Sequence, residues 1–136
     1  MKIQRFEEII AWQKARTLVA EVYRMTNASA SFRRDVGLRE QIRRAAVSAM
    51  SNIAEGFGRY TDKEMTNFLN IAGGSIAEVQ SQLYVALDLK YIEAASFESL
   101  YSLADETGRL LTGFMNYLRR SKSGNERTVG SRVTSR

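Results

Sequence analysis

The chain has 136 residues, of which 44% are hydrophobic and 26% are charged, and these proportions are typical of one globular domain. It contains no histidine, cysteine or proline. These absences exclude disulfides, thiolate and imidazole metal sites, cysteine nucleophiles and the Ser-His-Asp triad. The sequence also has no Gly-rich phosphate loop and no nucleophile elbow. We therefore expect a protein that is not an enzyme and that binds neither a cofactor nor a metal.

The net charge of +5 is concentrated at the C-terminus. Residues 119–136 hold six basic residues and one acidic residue, whereas residues 1–118 hold fourteen of each. The last part of the chain is poor in the apolar side chains that offset the entropy cost of ordering. We therefore predict a domain over residues 1–120 and a disordered basic tail over residues 121–136. This terminus is either a solubilising extension or a phosphate-binding arm that uses Arg119, Arg120 and Lys122.

The N-terminal segment gives no sign of targeting to a membrane. Residues 1–8 carry two acidic side chains and lack the apolar core of a signal peptide. The chain also has no run of about eighteen apolar residues, the length that a spanning helix needs. We expect a cytoplasmic protein with no membrane partner.

The first predicted helix is about 20 residues long. Its apolar residues recur every three or four positions, which places them on one helix face: Ile9, Trp12, Ala15, Leu18, Val19, Val22 and Met25. Residues 26–37 lose this period and predict the longest internal loop. We expect Phe32, within that loop, to pack back onto the helices.

The second predicted helix has an apolar face rich in alanine, which lets a neighbouring helix approach closely. The face consists of Leu38, Ile42, Ala45, Ala46, Ala49, Ile53 and Phe57. Gly56 and Gly58 bracket the end of this helix, where glycine readily adopts the left-handed conformation. We therefore predict that the main role of Gly56 is backbone geometry at a helix end.

The third predicted helix begins at the capping box of residues 61–64 and continues for about 25 residues. Gly73 and Gly74 lie in its middle, where each costs about 1 kcal/mol relative to alanine, so we expect close packing to compensate. Ser96 is the predicted N-cap of a fourth helix. The apolar stripe of that helix is Leu100, Leu103, Thr107, Leu110, Phe114 and Leu118. Four amphipathic helices predict an all-α, up-down-up-down antiparallel four-helix bundle.

A polar stripe lies nearly opposite the alanine-rich face of the second predicted helix. Its members recur every three or four positions: Glu40, Arg44, Ser48, Ser51, Glu55 and Arg59. The pattern fits a solvated face with i,i+4 ion pairs, each worth about 0.2–0.5 kcal/mol. It also fits an intersubunit or ligand-facing surface, because small serines alternate with the charges. The predicted subunit interface consists of Arg44, Ser48, Ser51, Asn52, Glu55 and Arg59.

Basic residues cluster around the start of the same helix, where five arginines are opposed by Asp35 and Glu40. Arginines on a helix can follow a phosphate backbone, although no aromatic pair is interleaved here for base stacking. The alternative is structural or intersubunit ion pairing. The predicted nucleic-acid-binding residues, including those of the polar stripe and of the C-terminus, are Arg33, Arg34, Arg43, Arg44, Arg59, Arg119, Arg120 and Lys122.

Several runs of residues occur together in a distinctive order: residues 12–15, 43–46 and 51–56, followed by Phe68, Leu69, Ala72, Ser75 and Glu78. With these runs the chain resembles the 23S rRNA intervening-sequence protein family over about residues 3–120. Met50 departs from the family, which commonly has a proline there, and so does the loop before Gly37. The resemblance implies a four-helix bundle assembled as a homo-oligomeric ring, with five subunits expected, and an association with rRNA intervening sequences.

Together these observations predict a non-enzymatic homo-oligomer that binds nucleic acid, RNA or DNA, through phosphate contacts, with structured RNA favoured. The alternative is a protein-interaction scaffold in which the arginines form ion pairs between subunits. Salt separates the two, because phosphate binding weakens steeply as the salt concentration rises.

Overall fold

The computed structural model of the chain describes residues 3–125, with the side chains of residues 3–120. The described part holds a 3-10 helix, Phe6–Glu8, and the helices α1 (Ile10–Ala28), α2 (Ala30–Arg34), α3 (Val36–Phe57), α4 (Asp62–Asp88) and α5 (Ala94–Asn125). It contains no strand, so the predicted all-α fold is confirmed. No helix in this part combines the length and the apolarity that a membrane span requires.

The four long helices pack as a bundle in which α3 contacts α1 and α4, and α5 also contacts α1 and α4. Ser48 of α3 bonds to Ser75 of α4, whereas Gly56 lies against Phe68. Residue numbers therefore rise along α3 as they fall along α4, which makes these two helices antiparallel.

The α4 and α5 helices show the same reversal. A Cβ at Gly73 of α4 would stand 3.8 Å from the side chain of Leu111 in α5. Farther along α4, the ring of Tyr84 contacts the ring of Phe97 in α5, with 4.8 Å between ring centroids. Both pairs of neighbours thus run in the directions that an up-down-up-down bundle requires.

The core consists largely of the predicted apolar stripes. The buried residues from them include Ala15, Leu18, Val22, Ile42, Ala46, Ala49, Ile53, Met65, Leu69, Ala72, Ile76, Val79 and Leu83. In α5 the predicted stripe is buried at Leu100, Thr107 and Leu118. It is wrong at one position, because Leu111 is 1% exposed whereas the predicted Leu110 is half-buried. Phe97 and Ala104 are also core residues that the predicted stripe omitted. Leucine occupies both positions 110 and 111, so periodicity alone did not select the inward one.

The predicted loop over residues 26–37 is wrong in part, because α1 continues to Ala28 and α2 fills much of the remainder. Two short polar side chains cap the N-termini of α2 and α3. Ser29 Oγ accepts the Phe32 N–H at 3.1 Å, and Asp35 Oδ1 accepts the Leu38 N–H at 3.1 Å. Phe32 is fully buried, as predicted.

The predicted role of Gly56, backbone geometry at the end of α3, is wrong. The residue lies inside α3, and no described glycine has a positive φ. A Cβ at this position would stand 3.1 Å from Phe68 Cβ and 3.2 Å from the Met65 carbonyl oxygen. The glycine therefore permits the close approach of α3 and α4. Gly74, by contrast, faces open space, so the close packing expected there is wrong.

Both ends of α4 are capped. Thr61 Oγ1 accepts the Glu64 N–H at 3.1 Å, which confirms the predicted helix start. At the other end Lys90 has a left-handed backbone with φ 62°. The N–H groups of Lys90 and Tyr91 donate to carbonyls in the last turn of α4, the pattern of a Schellman motif.

The α5 helix is longer than predicted at both ends. It begins at Ala94, so Ser96 lies in its first turn and is not its N-cap. It ends at Asn125, past the predicted domain boundary at residue 120. Residues 126–136 lie outside the described residues, and the disorder of the tail stays a prediction.

Candidate nucleic-acid interface

The structure divides the predicted phosphate-binding residues between the two ends of the bundle. Arg33 and Arg34 in α2, with Arg43 and Arg44 in α3, form what we call the α2 end. Arg59 lies just after α3, at the opposite end of the bundle. The distance along the helix axis from Arg43 to Arg59 is about 24 Å, at 1.5 Å per residue. Because α5 is antiparallel to α4, its C-terminal turns lie at the same end of the bundle as Arg59.

At the α2 end, Arg43 is bonded within the chain. Its Nε donates to Thr26 Oγ1 at 2.9 Å and a terminal nitrogen donates to Asn27 Oδ1 at 2.9 Å. The guanidinium carbon lies 4.4 Å from the centre of the Tyr23 ring, a cation–π distance. Since Thr26 is fully buried, Arg43 ties the start of α3 to the end of α1. This arrangement favours a structural role, and phosphate binding by Arg43 stays a prediction.

The other arginines of the α2 end differ in how they are held. The Arg33 guanidinium donates to the Asn27 carbonyl oxygen, although the residue as a whole is exposed. Arg34 and Arg44 are exposed and make no hydrogen bond or ion pair with another described residue. At this end, Arg34 and Arg44 are therefore the side chains best placed to meet a ligand without breaking a bond in the chain.

The predicted subunit interface separates into an internal part and an exposed part. Ser48 Oγ lies 2.8 Å from Ser75 Oγ, and Asn52 Nδ2 donates to the Ser48 carbonyl oxygen at 2.8 Å. Ser75 is buried, so these three side chains fill the seam between α3 and α4. The exposed part of the predicted interface is Arg44, Ser51 and Glu55, and Arg59 is partly exposed after the helix. With Glu40 and Val47, which the prediction did not include, the three exposed residues form an exposed line along α3. The interface that this line would form stays a prediction.

The opposite end carries a second set of cations, which we call the basic end: Arg59, Lys63, Arg119 and Arg120. Arg59 donates to Glu55 Oε2 at 3.0 Å, and its guanidinium carbon lies 4.5 Å from the centre of the Phe68 ring. Its side chain remains 38% exposed. Lys63 is exposed in the first turn of α4.

A cleft of about 270 Å³ lies between α4 and α5 at this end of the bundle. Asp62 of α4 and Arg119 of α5 both line it, together with apolar side chains of the two helices. Arg119 therefore lies close to the first turn of α4, and Arg120 follows it as an exposed residue. Lys122 belongs to α5, but its side chain lies outside the described residues.

Tyr60 is a residue that sequence reasoning missed. The residue is 77% exposed, and it lies in the short connection between Arg59 and the first turn of α4. The sequence-based prediction weighed aromatic residues only around the start of the second predicted helix. The signal that would have found Tyr60 is the order Arg59, Tyr60, Lys63 at a helix junction, where an aromatic ring stands between two cations.

The α2 end is fastened to the α4–α5 connection by one carboxylate. Asp35 Oδ2 accepts the Tyr91 hydroxyl at 2.9 Å while Oδ1 caps α3. The hydrogen bond to Asp35 raises the pKa of Tyr91 above its ordinary value of 10.0. At the same end Asp88, Glu93 and Glu98 are exposed near the arginines. Acids also lie at the basic end, where Glu55 and Glu64 are exposed beside Arg59 and Lys63, so both ends carry charges of both signs.

The described side chains offer cations and hydrogen-bond donors for an anion. They hold no group of three or more acidic, histidine or cysteine side chains placed to bind a metal ion. The arrangement at the basic end suits electrostatic binding of phosphate, since its arginines present planar sets of donors that match phosphate oxygens.

The geometry defines a class of protein, a small helical bundle with cations at both of its ends. A family model described as "23S rRNA-intervening sequence protein" matches residues 7–113. The chain belongs to this family, which confirms the resemblance found in the sequence.

The fold is also similar to a solved structure, a protein of unknown function from the S23 ribosomal protein family of Bacteroides thetaiotaomicron. The TM-score is 0.72 and the sequence identity is 21%, with 77% of this chain and 97% of that chain covered. At this identity the likeness shows the fold. No curated protein sequence matches the chain.

Proposed function

We propose that the chain is a non-enzymatic, homo-oligomeric bundle that binds structured RNA through phosphate contacts at its basic end. One observation carries the proposal: Arg59 and Lys63 at the α3–α4 connection lie at the same end of the bundle as Arg119 and Arg120 on the last turns of α5. The sequence from residue 119 to residue 136, which includes these two arginines, has a net charge of +5. Clusters of this kind bind nucleic acid by releasing the counterions condensed on its phosphates. The family name refers to 23S rRNA, which supports RNA as the ligand.

The basic end is favoured over the α2 end because two of its arginines belong to residues 119–136, where the net charge of the sequence is concentrated. Each end has arginines that already bond within the chain, Arg33 and Arg43 at the α2 end and Arg59 at the basic end. At the basic end, Arg119 and Arg120 are exposed on the last turns of α5. A ring of copies would present several such ends to one polyanion, and the repeated contacts would raise the overall affinity.

The experiment compares two double variants that remove equal charge. A structured RNA hairpin is titrated with the intact protein, with Arg119→Ala/Arg120→Ala and with Arg34→Ala/Arg44→Ala over a series of salt concentrations. We expect the first variant to flatten the plot of log affinity against log salt by about one unit for each phosphate that its side chains no longer neutralise. The matched α2-end variant should change the slope less. Equal slopes for the two variants would contradict the assignment to the basic end.

The alternative function is a protein-interaction scaffold with no nucleic-acid role. The exposed line along α3 supports it, because Val47 and Ser51 offer small and apolar contacts between charged residues. A scaffold retains no RNA even at low salt. Failure of the intact protein to bind the hairpin at low salt would therefore favour the scaffold over RNA binding.

A further inference from the structure

We infer that the basic end selects an unpaired nucleotide, whose base stacks on the ring of Tyr60 while the adjoining phosphates contact Arg59, Lys63 and Arg119. This inference rests on the proposed function and names the form of RNA that the same site takes.

The first observation is the exposure of Tyr60. At 77%, it is the most exposed of the large apolar and aromatic side chains that the structure describes at its surface. By comparison, Tyr84 is 49% exposed. Stacking of another flat ring on an exposed aromatic ring is favourable, because it removes apolar surface from water.

The second observation is that the backbone on both sides of Tyr60 is held in place. The Arg59 N–H donates to the Gly56 carbonyl oxygen at 3.1 Å, and the Met65 N–H donates to the Thr61 carbonyl oxygen at 3.0 Å. The Thr61 side chain also caps α4. The ring is thus presented from an ordered corner, which reduces the entropy cost of binding a base.

The third observation is the charge around the ring. Arg59 precedes it, Lys63 follows it by three residues, and Arg119 lines a cleft together with Asp62, which lies two residues after the ring. The acidic neighbours Asp62 and Glu64 lie in the first turn of α4, where the positive end of the helix dipole offsets part of their charge. A cationic surface with an exposed aromatic ring is the combination by which proteins bind single strands.

Stacking on an exposed ring requires a base that is not already stacked in a duplex. Paired RNA keeps its bases inside the helix and offers a protein mainly phosphates and 2′-hydroxyls, whereas loops and bulges turn bases outward. The geometry of the corner therefore favours loops, bulges and single-stranded ends of a structured RNA over its paired stems.

The test measures the affinity for two RNA probes, a single strand of about twelve nucleotides and a fully paired duplex of the same sequence, by fluorescence anisotropy. Tyr60→Leu should weaken single-strand binding about 5-fold to 150-fold, since stacking on an aromatic residue contributes that much per base. Duplex binding and the salt slope should not change, because the ring carries no charge. Tyr60→Phe keeps the ring and should bind the single strand like the intact protein.

Tyr84→Leu is the matched control, because Tyr84 is an exposed tyrosine with Asp88 one turn away in place of cations. It should leave both affinities unchanged. Circular dichroism checks that each variant folds, and Tyr60→Ser provides the same test if Tyr60→Leu does not. Unchanged single-strand binding by Tyr60→Leu, or an equal loss for both probes, would overturn the inference and leave the proposed function intact. Failure of the intact protein to bind either probe at low salt would overturn the proposed function itself.

Discussion

Lys90 occupies a backbone conformation in which a side chain is strained. Its φ of 62° lies in the left-handed region, where a residue with a Cβ loses about 1 kcal/mol relative to glycine. We expect Lys90→Gly to raise the free energy of unfolding by about 1 kcal/mol, because it relieves this strain and keeps the Schellman hydrogen bonds. Urea denaturation followed by circular dichroism measures the change. Lys90→Ala removes the charge but retains the Cβ, and it should show no such gain.

Gly56 and Gly74 lie in different helices and should respond to substitution in opposite directions. Gly56→Val should lower the free energy of unfolding by about 1–3 kcal/mol, because the new side chain would press on Phe68 and the Met65 backbone. Gly74→Ala meets nothing within 4 Å and should raise it by up to about 1 kcal/mol through helix propensity. Thermal unfolding of both variants measures the contrast. Destabilisation by Gly74→Ala would show that another surface covers this face.

Tyr91 should make the stability of the fold sensitive to alkaline pH. Its hydrogen bond to Asp35 raises the pKa of the phenol, so the folded state keeps a proton that the unfolded chain loses above its ordinary pKa of 10.0. The resulting stabilisation is complete below that pH and is lost as the pH rises through the folded pKa. We expect Tm to fall more between about pH 9 and pH 11 for the intact protein than for Tyr91→Phe. The raised pKa of Tyr101, caused mainly by Tyr84, is present in both proteins and cancels in this comparison.

At the scale of the helices, Arg43 and Arg44 are adjacent in sequence but differ in what they contact. Arg43→Ala should lower the free energy of unfolding by about 1–3 kcal/mol, because it breaks two hydrogen bonds and leaves the buried Thr26 hydroxyl without that donor. Arg44→Ala should change it by less than about 0.5 kcal/mol, as exposed substitutions usually do. Urea denaturation of both variants measures the difference. Equal effects would contradict the structural role of Arg43.

The long helices could be predicted from sequence because an amphipathic period is a local property. The α2 helix could not, since five residues form a stable turn only when two caps and the burial of Phe32 act together. The placement of Gly56 against Phe68 depends on a contact between helices, so sequence spacing suggested a helix end instead.

The candidate site was predicted in part for the same reason. Charge counting found Arg59, Arg119 and Arg120, but their gathering at one end follows from the directions of three helices. The bonds of Arg43 to Thr26 and Asn27 also join segments that are distant in sequence. Exposure of a single aromatic residue such as Tyr60 is set by the folded surface and has no sequence period.

At the scale of the whole molecule, self-association is the prediction that most affects function. Light scattering should give a mass several times that of the 15.4 kDa chain. If the exposed line along α3 forms the contact, Val47→Glu should lower this mass by adding a buried charge. Thr112→Glu, an exposed position on α5, is the matched control and should not lower it. A monomer at micromolar concentration would contradict the ring.

The carboxylate of Asp35 links two segments that lie 56 residues apart from each other in the chain. One oxygen holds the first turn of α3, and the other holds Tyr91, whose ring also contacts the ring of Phe32. Neither segment can loosen without releasing a partner of the other. We therefore expect amide hydrogens in the first turn of α3 and in the α4–α5 connection to exchange with solvent through a shared opening, with this end of the bundle behaving as one cooperative unit.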